Sequence, residues 1–328
     1  MSAPLSRIRV TPLAAESFGV RSMCTYIETS DIKILADPGV SLGMRFSLLP
    51  HPREYRAIRE CRDKLANYAE RAEVVTISHY HFDHFTPSYT DYVWNWSSHE
   101  VASQIYRGKL VLAKSIRGSI NTSQRRRGWM LRKTVGRYMR ELRVADGGDF
   151  GFGGTRLSFS RPVFHGEEGT ALGWVLMLTV VCGDERVLYA PDVQGPMVSE
   201  TLDLMMEESP RVVIVGGPPL YLSGFRVEEG VIARGMENLV RLAQRVPVMV
   251  LEHHLLRDEN WLSFSRPVFE AAEGVGHRVV TAAEFVGEPN RLLEFRRRVL
   301  YEVEPPSGEF MRWTRLPRMK QREAMPPP

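Results

Sequence analysis

The sequence predicts an α/β protein built as a four-layer αββα sandwich, two sheets covered on their outer faces by helices. Three observations predict it. Short β-branched runs such as Val74–Ile77 and residues 212–215 recur along the chain and stop abruptly at polar or turn residues. Stretches with helical spacing, residues 53–71 and 228–245 among them, separate several of those runs. Residues able to ligate metal stand just past strand ends. They are densest in His79-Tyr80-His81-Phe82-Asp83-His84, where three histidines and an aspartate occupy six positions.

Taken in order, the chain opens with β-prone runs at 8–10, 23–27 and 32–35, divided by turn residues such as Ser30-Asp31. The third run breaks at Ala36-Asp37-Pro38-Gly39. Pro50-His51-Pro52 then fixes a loop from which His51 can reach the mouth of a site. Residues 53–71 read as a helix with Tyr55, Ile58, Leu65 and Tyr68 inward, and lead into the strand before His79. His79 and His81 flank one residue, so a strand end can present both on one side, while Asp83 and His84 fall past the turn.

Residues 86–108 carry Tyr89, Tyr92, Trp94, Trp96 and Tyr106, which suit either pocket walls or the core of an inserted subdomain. His99 has no partner at ligand spacing. Residues 109–113 form a strand, followed by Lys114. Residues 121–143 read as a helix at least in their second half, because Leu131, Val135, Tyr138 and Leu142 recur at spacings of four, three and four. Arg126, Arg127, Lys133, Arg137 and Arg140 lie mostly off that stripe. The glycine cluster at 146–154 precedes a strand and reads as a connection or hairpin.

Strand 156–164 then ends in His165, the hairpin 174–189 in Ala190-Pro191-Asp192, and strand 246–251 in Glu252-His253-His254. Residues 198–206 and 228–245 are expected helices. Residues 261–272, 277–281 and 289–300 suggest helix, strand, helix. The expected organisation is one domain over 1–303 with an inserted aromatic and basic arm at about 86–145, then a flexible tail over 304–328.

Composition bounds the function. A 43% hydrophobic and 25% charged chain is an ordinary globule, and its longest apolar run, 171–182, is too short for a membrane span. Residues 1–9 lack an apolar signal core. Three scattered cysteines, Cys24, Cys61 and Cys182, point to a reducing cytoplasm without disulfides. Net charge is +4, yet residues 107–143 carry twelve Lys or Arg against Glu141 alone, leaving the rest of the chain at −7. A basic block on an acidic body implies an anionic partner, a small molecule or a nucleic acid, and no membrane. Oligomeric state is not fixed by any of this, and a homo-oligomer is compatible with it.

The His79–His84 segment resembles the His-x-His-x-Asp-His signature of the metallo-β-lactamase superfamily. The likeness extends to Ser17-Phe18-Gly19-Val20-Arg21-Ser22, to Asp192-Val193-Gln194-Gly195-Pro196 and to His253-His254-Leu255-Leu256-Arg257-Asp258, and is similar to an archaeal family within the superfamily up to about residue 298. The resemblance demands a His, an Asp and a His at later strand ends, and His165, Asp192 and His253 or His254 stand there in that order. It implies His79, His81 and His165 on one metal ion, Asp83, His84 and His253 on a second, and Asp192 between them. His254 is the alternative ligand to His253, and otherwise a supporting group or general acid. Asp37 is expected to support the metal loop from behind.

Two divalent ions, zinc first and manganese or iron next, would lower the pKa of a bridging water until hydroxide forms near neutral pH. Asp83, His254 and Arg257 are the expected catalytic residues, with Lys114, His51 and Arg257 facing substrate. Only 60 residues separate Asp192 from His253, too few for the nuclease insertion of RNA-processing relatives. His81 stands where flavodiiron relatives carry Glu. The expected function is a dinuclear hydrolase of a phosphodiester or other anionic substrate. The alternatives are hydrolysis of a small ester, thioester or lactone, and a metal-containing nucleic-acid-binding module without catalysis.

Overall fold

A computed structural model describes residues 5–327. Buried β-branched runs pair first with their sequence neighbours: β1 (Arg9–Pro12), β2 (Thr25–Glu28) and β3 (Lys33–Ala36) form an antiparallel meander. β4 (Val74–Ile77), β5 (Leu110–Ala113) and β6 (Glu141–Val144) extend it as parallel strands, giving one six-stranded sheet in chain order. Parallel neighbours need long crossovers. α1 (Pro52–Arg71), α2 (His99–Tyr106) and α3 (Thr122–Val135) supply them.

The second sheet begins with β7 (Asp149–Phe152) and β8 (Thr155–Phe159), while β9 (Val163–Phe164) and β10 (Trp174–Val175) pair apart from it. β11 (Leu178–Cys182) and β12 (Glu185–Ala190) follow. Then α4 (Ser199–Glu207), β13 (Val212–Gly216), α5 (Glu229–Ala243), β14 (Val248–Glu252), α6 (Trp261–Glu273) and β15 (Arg278–Val280) complete the order 15-14-13-12-11-8-7. β12 to β15 run parallel, so their carboxyl ends share one edge.

Those strands are apolar on both faces because both faces are covered. Val187, Tyr189, Val212, Ile214 and Val250 pack into one cluster with the first sheet. Leu188, Ala190, Val213, Val215 and Met249 pack into a second with Leu239, Leu242 and Val268 of α5 and α6. The result is the expected four-layer αββα sandwich. Among the described residues, no helix is long and apolar enough to cross a membrane. The three cysteines are buried and free.

Four expectations are corrected. Residues 86–145 are no separate arm, because β5 and β6 lie within them and widen the first sheet. The helix expected toward residue 143 ends at Val135, and Gly136–Tyr138 makes a single 3-10 turn before β6. Its second half carried a helical period only because an inward helix face and an edge strand happened to follow each other. After the short α7 (Ala282–Phe285), only α8 (Arg297–Val303) forms of the helix expected over 289–300. The tail past 304 is docked as α9 (Gly308–Trp313) and α10 (Arg318–Glu323), since Phe310 and Trp313 bury their rings against Tyr55.

Candidate metal centre

β4 is buried along its whole length and delivers Ser78 and His79 to the interface between the sheets. Asp37, at the end of β3, takes the amide of Ser78 on one carboxylate oxygen at 2.7 Å and the Ser78 hydroxyl on the other. That second oxygen also receives Nδ1 of His84 at 2.9 Å and the Tyr189 hydroxyl at 3.1 Å. Asp37 thus ties the end of β3 to the 78–84 loop. The turn behind it requires Gly39, where a Cβ would lie 2.3 Å from the amides of His84 and Phe85.

The histidine partners fix which nitrogens are free. Nδ1 of His84 donates to Asp37, so its Nε2 is bare. The Ser78 hydroxyl spends its proton on Asp37 and therefore accepts from Nδ1 of His79 at 2.9 Å, which bares Nε2 of His79. Nδ1 of His253 faces the Glu16 carboxylate at 3.0 Å, and its Nε2 is bare as well. His254 has the opposite arrangement. Arg257 can only donate, and its NH1 lies 3.0 Å from Nδ1 of His254, so the His254 proton sits on Nε2. Of the two, His253 has the carboxylate behind its Nδ1, so loss of one proton leaves its Nε2 open toward Asp192.

These atoms converge on Asp192. One oxygen lies 3.2, 3.1 and 2.9 Å from Nε2 of His79, His84 and His165; the other lies 2.9 Å from His253 and 3.2 Å from His254. Nδ1 of His81 meets Nε2 of His165 at 3.1 Å, and Asp83 sits 3.6 Å from Nε2 of His253. Four overlapping ligand-sized groups result: His79, His81, His165 and Asp192; Asp83, His84 and His253; Asp192, His253 and His254; and Asp37, His79 and His84. Nε2 of His79, His84, His253 and His254 and one oxygen of Asp192 are buried without a hydrogen-bond partner. Nitrogen and carboxylate donors left unpaired at such depth fit divalent cations and little else.

Charge agrees. Burial, helped by neighbouring His84, pushes His79 down to about 4, and burial beside Arg257 pushes His254 down to about 3, so both are neutral near pH 7. Burial opposes a charge on His253, but Glu16 and Asp192 outweigh it and raise that group to about 9. Burial likewise opposes ionising Asp192, yet His253, His165 and His84 hold it well below the carboxylate range. His84 is likewise raised well above the usual imidazole range, burial being outweighed by Asp192 and Asp37, so protons on His84 and His253 occupy the positions that a cation would take. Asp37, Asp192 and His253 also adopt positive φ (46°, 51° and 69°), a conformation costly for side-chain-bearing residues and common where a site dictates geometry.

Two expected substrate contacts are corrected. His51 caps α1, accepting the Arg53 amide and contacting the Glu304 carbonyl at 2.8 Å, and is 1% exposed, so it faces no cleft. Lys114 is fully buried and paired with Asp146 at 2.8 Å. Arg257 does lie near the cluster, 3.8 Å from Asp83, but Glu16 holds it through Nε at 2.7 Å. Sequence reading missed Glu16, whose only local setting is Ala14-Ala15-Glu16-Ser17, and Gln194, 3.3 Å from Nδ1 of His165. It also missed that α3 grips the metal loop: Gln124 accepts from the Tyr80 amide at 3.2 Å and Arg127 donates to the Tyr80 carbonyl at 3.1 Å.

Residues 20–224 match the family described as a beta-lactamase superfamily domain. A UPF0282 protein of Pyrobaculum islandicum is 46% identical over 297 residues, 90% of this chain and 95% of its own. The UPF0282 protein MK0213 of Methanopyrus kandleri is 43% identical over 291 residues, 88% of this chain and 98% of its own. Among solved structures, the metallo-beta-lactamase fold protein YhfI from Bacillus subtilis is similar over 87% of this chain and 98% of that one, at 14% identity and a TM-score of 0.49.

Proposed function

The chain belongs to the beta-lactamase superfamily and, within it, to the UPF0282 proteins, and from that premise we propose that it is a hydrolase using two divalent ions on an anionic substrate, foremost a phosphodiester. The observation that carries the reading is the set of bare, buried nitrogens aimed at the two oxygens of Asp192. Nε2 of His79, Nδ1 of His81 and Nε2 of His165 would hold one ion, and Asp83 with Nε2 of His84 and His253 the other, with Asp192 shared. Zinc suits this donor set best, with manganese or iron as alternatives. Such ions supply Lewis acidity and a hydroxide-forming water at neutral pH.

The chain's own groups do the rest. Asp83 is the more open carboxylate, its side chain 17% exposed against 1% for Asp192, and it can accept a hydrogen bond from the attacking water. His254 presents Nε2–H at the cluster edge, where it can offer a hydrogen bond to the departing oxygen, whose proton then comes from water. Arg257 and Tyr221 hold that ring, each contacting its Nδ1. Arg125, Arg126, Lys133 and Arg140 are exposed on and beyond α3, a field that draws anions toward the centre.

A second reading, hydrolysis of a small ester, thioester or lactone, draws support from the apolar Phe82 and Tyr89 beside His81 and Asp83. Elemental analysis of the purified protein, followed by turnover of bis(4-nitrophenyl) phosphate and 4-nitrophenyl acetate, tests both. A protein that takes up no divalent metal overturns the proposal. A metal-loaded protein inert toward both esters, yet binding nucleic acid with steep salt dependence, is a binding module instead.

A further inference from the structure

The metal cluster opens into a cleft of about 340 Å³ lined by His81, Phe82 and Asp83 and rimmed by Arg127 and Arg322. Beside it lies a second chamber of about 420 Å³ between the loop that follows His81 and helix α3. Phe82, Tyr89 and Arg127 line both, so the two spaces adjoin. The chamber's other walls include the apolar Phe85, Met130 and Leu131, with Ser123 and Arg126 on its outer side.

Its chemistry differs from that of the cleft. Phe85 and Leu131 are buried at its base, and Phe82 stacks near Phe85 and edge-on to Tyr89. Met130 remains 43% exposed on the most basic helix of the protein, a position where burial is not the reason for an apolar residue. The Arg127 guanidinium lies 4.4 Å above the Phe82 ring and so stands between the apolar chamber and the metal-side cleft. An apolar space of this size with a cation at its threshold fits a ligand with one charged and one apolar end.

We propose that the substrate is a small amphiphilic anion: its charged reacting group lies at His81 and Asp83 beside Arg127 and Arg322, and a ring-sized apolar group fills the chamber between Phe82, Phe85 and Met130. The proposal rests on the hydrolase reading for the identity of the reacting group, but the chamber can be tested without turnover. A polymer held along α3 by Arg125, Arg126 and Lys133 would leave the chamber's base at Phe85 and Leu131 empty.

The test is calorimetric binding of phenylphosphonate and methylphosphonate to the metal-loaded full-length protein. Neither is hydrolysed. Phenylphosphonate should bind at least about tenfold more tightly, the discrimination a well-formed apolar pocket gives. In Met130→Trp and, from another exposed position on the chamber wall, Ser123→Phe, that ratio should fall toward one. Equal binding in the wild type, no binding of either anion, or a ratio unchanged in both variants overturns the proposal. So does an oligonucleotide that displaces phenylphosphonate more strongly than a mononucleotide does. If the ratio behaves as stated while no phenyl-bearing ester is hydrolysed, the chamber stands and the hydrolase reading falls.

Discussion

Glu16 and His253 meet at 3.0 Å, carboxylate to Nδ1, across 237 residues of chain. That contact decides which face of the imidazole looks toward Asp192. Carboxylates behind ligating histidines typically contribute 10- to 100-fold in metal affinity. Glu16→Ala should therefore lose metal to a chelator at about 10- to 100-fold lower concentration than wild type, while Glu16→Gln, which can still accept from Nδ1, should lose less. Equal chelator resistance in all three proteins would separate Glu16 from metal binding.

Asp83 and Asp192 supply the carboxylates of the proposed centre. Replacing both by Ala should leave purified protein without bound metal and without hydrolytic turnover. Elemental analysis showing unchanged metal content would refute the ligand assignment.

Arg125 and Arg126 are exposed and take no part in holding the metal loop, unlike Arg127. Arg125→Gln with Arg126→Gln should raise KM for a phosphodiester by about three- to tenfold at low ionic strength, with the difference shrinking as salt is added. Metal content should stay the same. A salt-independent KM would make this face an ordinary solvated surface.

Gly128 lets α3 lie against Tyr80, since a Cβ there would come within 2.7 Å of the Tyr80 ring and of Ile116. Gly128→Ala should cost about 1–3 kcal/mol of stability, the usual range for overpacking. Because Gln124 and Arg127 hold the Tyr80 backbone between His79 and His81, the variant should also release metal more readily. Denaturant unfolding and chelator titration read the two effects separately.

Away from the centre, the Glu185 carboxylate accepts the amides of Ser6, Arg7 and Ile8 and the Ser6 hydroxyl at 2.6–3.0 Å. Burial opposes its ionisation, yet those donors hold it down to about 2. A depressed carboxylate stabilises the fold above its unfolded pKa, near 4.5, and that contribution fades as pH falls toward 2. Amide protection at residues 6–8, the exchange rate relative to an unstructured peptide at the same pH, should fall across that window in the wild type, whereas Glu185→Gln should be less protected already at neutral pH and change little further. Identical profiles would remove Glu185 as the clamp.

What could be read from the sequence follows from how local each feature is. His79, His81, Asp83 and His84 crowd one strand end, and His165, Asp192 and His253 each follow a strand, so their convergence was visible as a pattern. The choice between His253 and His254 was not, because Glu16 and Arg257 set their tautomers and Glu16 lies at the other end of the chain. His51 and Lys114 looked available only because their partners, Glu304 and Asp146, are remote in sequence. A proline- and arginine-rich composition hid the tail's docking, which depends on Phe310 and Trp313 finding Tyr55.

Arg322 reaches the cleft from α10, where its backbone carbonyl takes the Tyr92 amide at 2.9 Å and its guanidinium sits 3.6 Å from Asp91. Every proposed ligand precedes it by at least 69 positions. A defect confined to α10 would thus open one side of the entrance while leaving every proposed ligand in place.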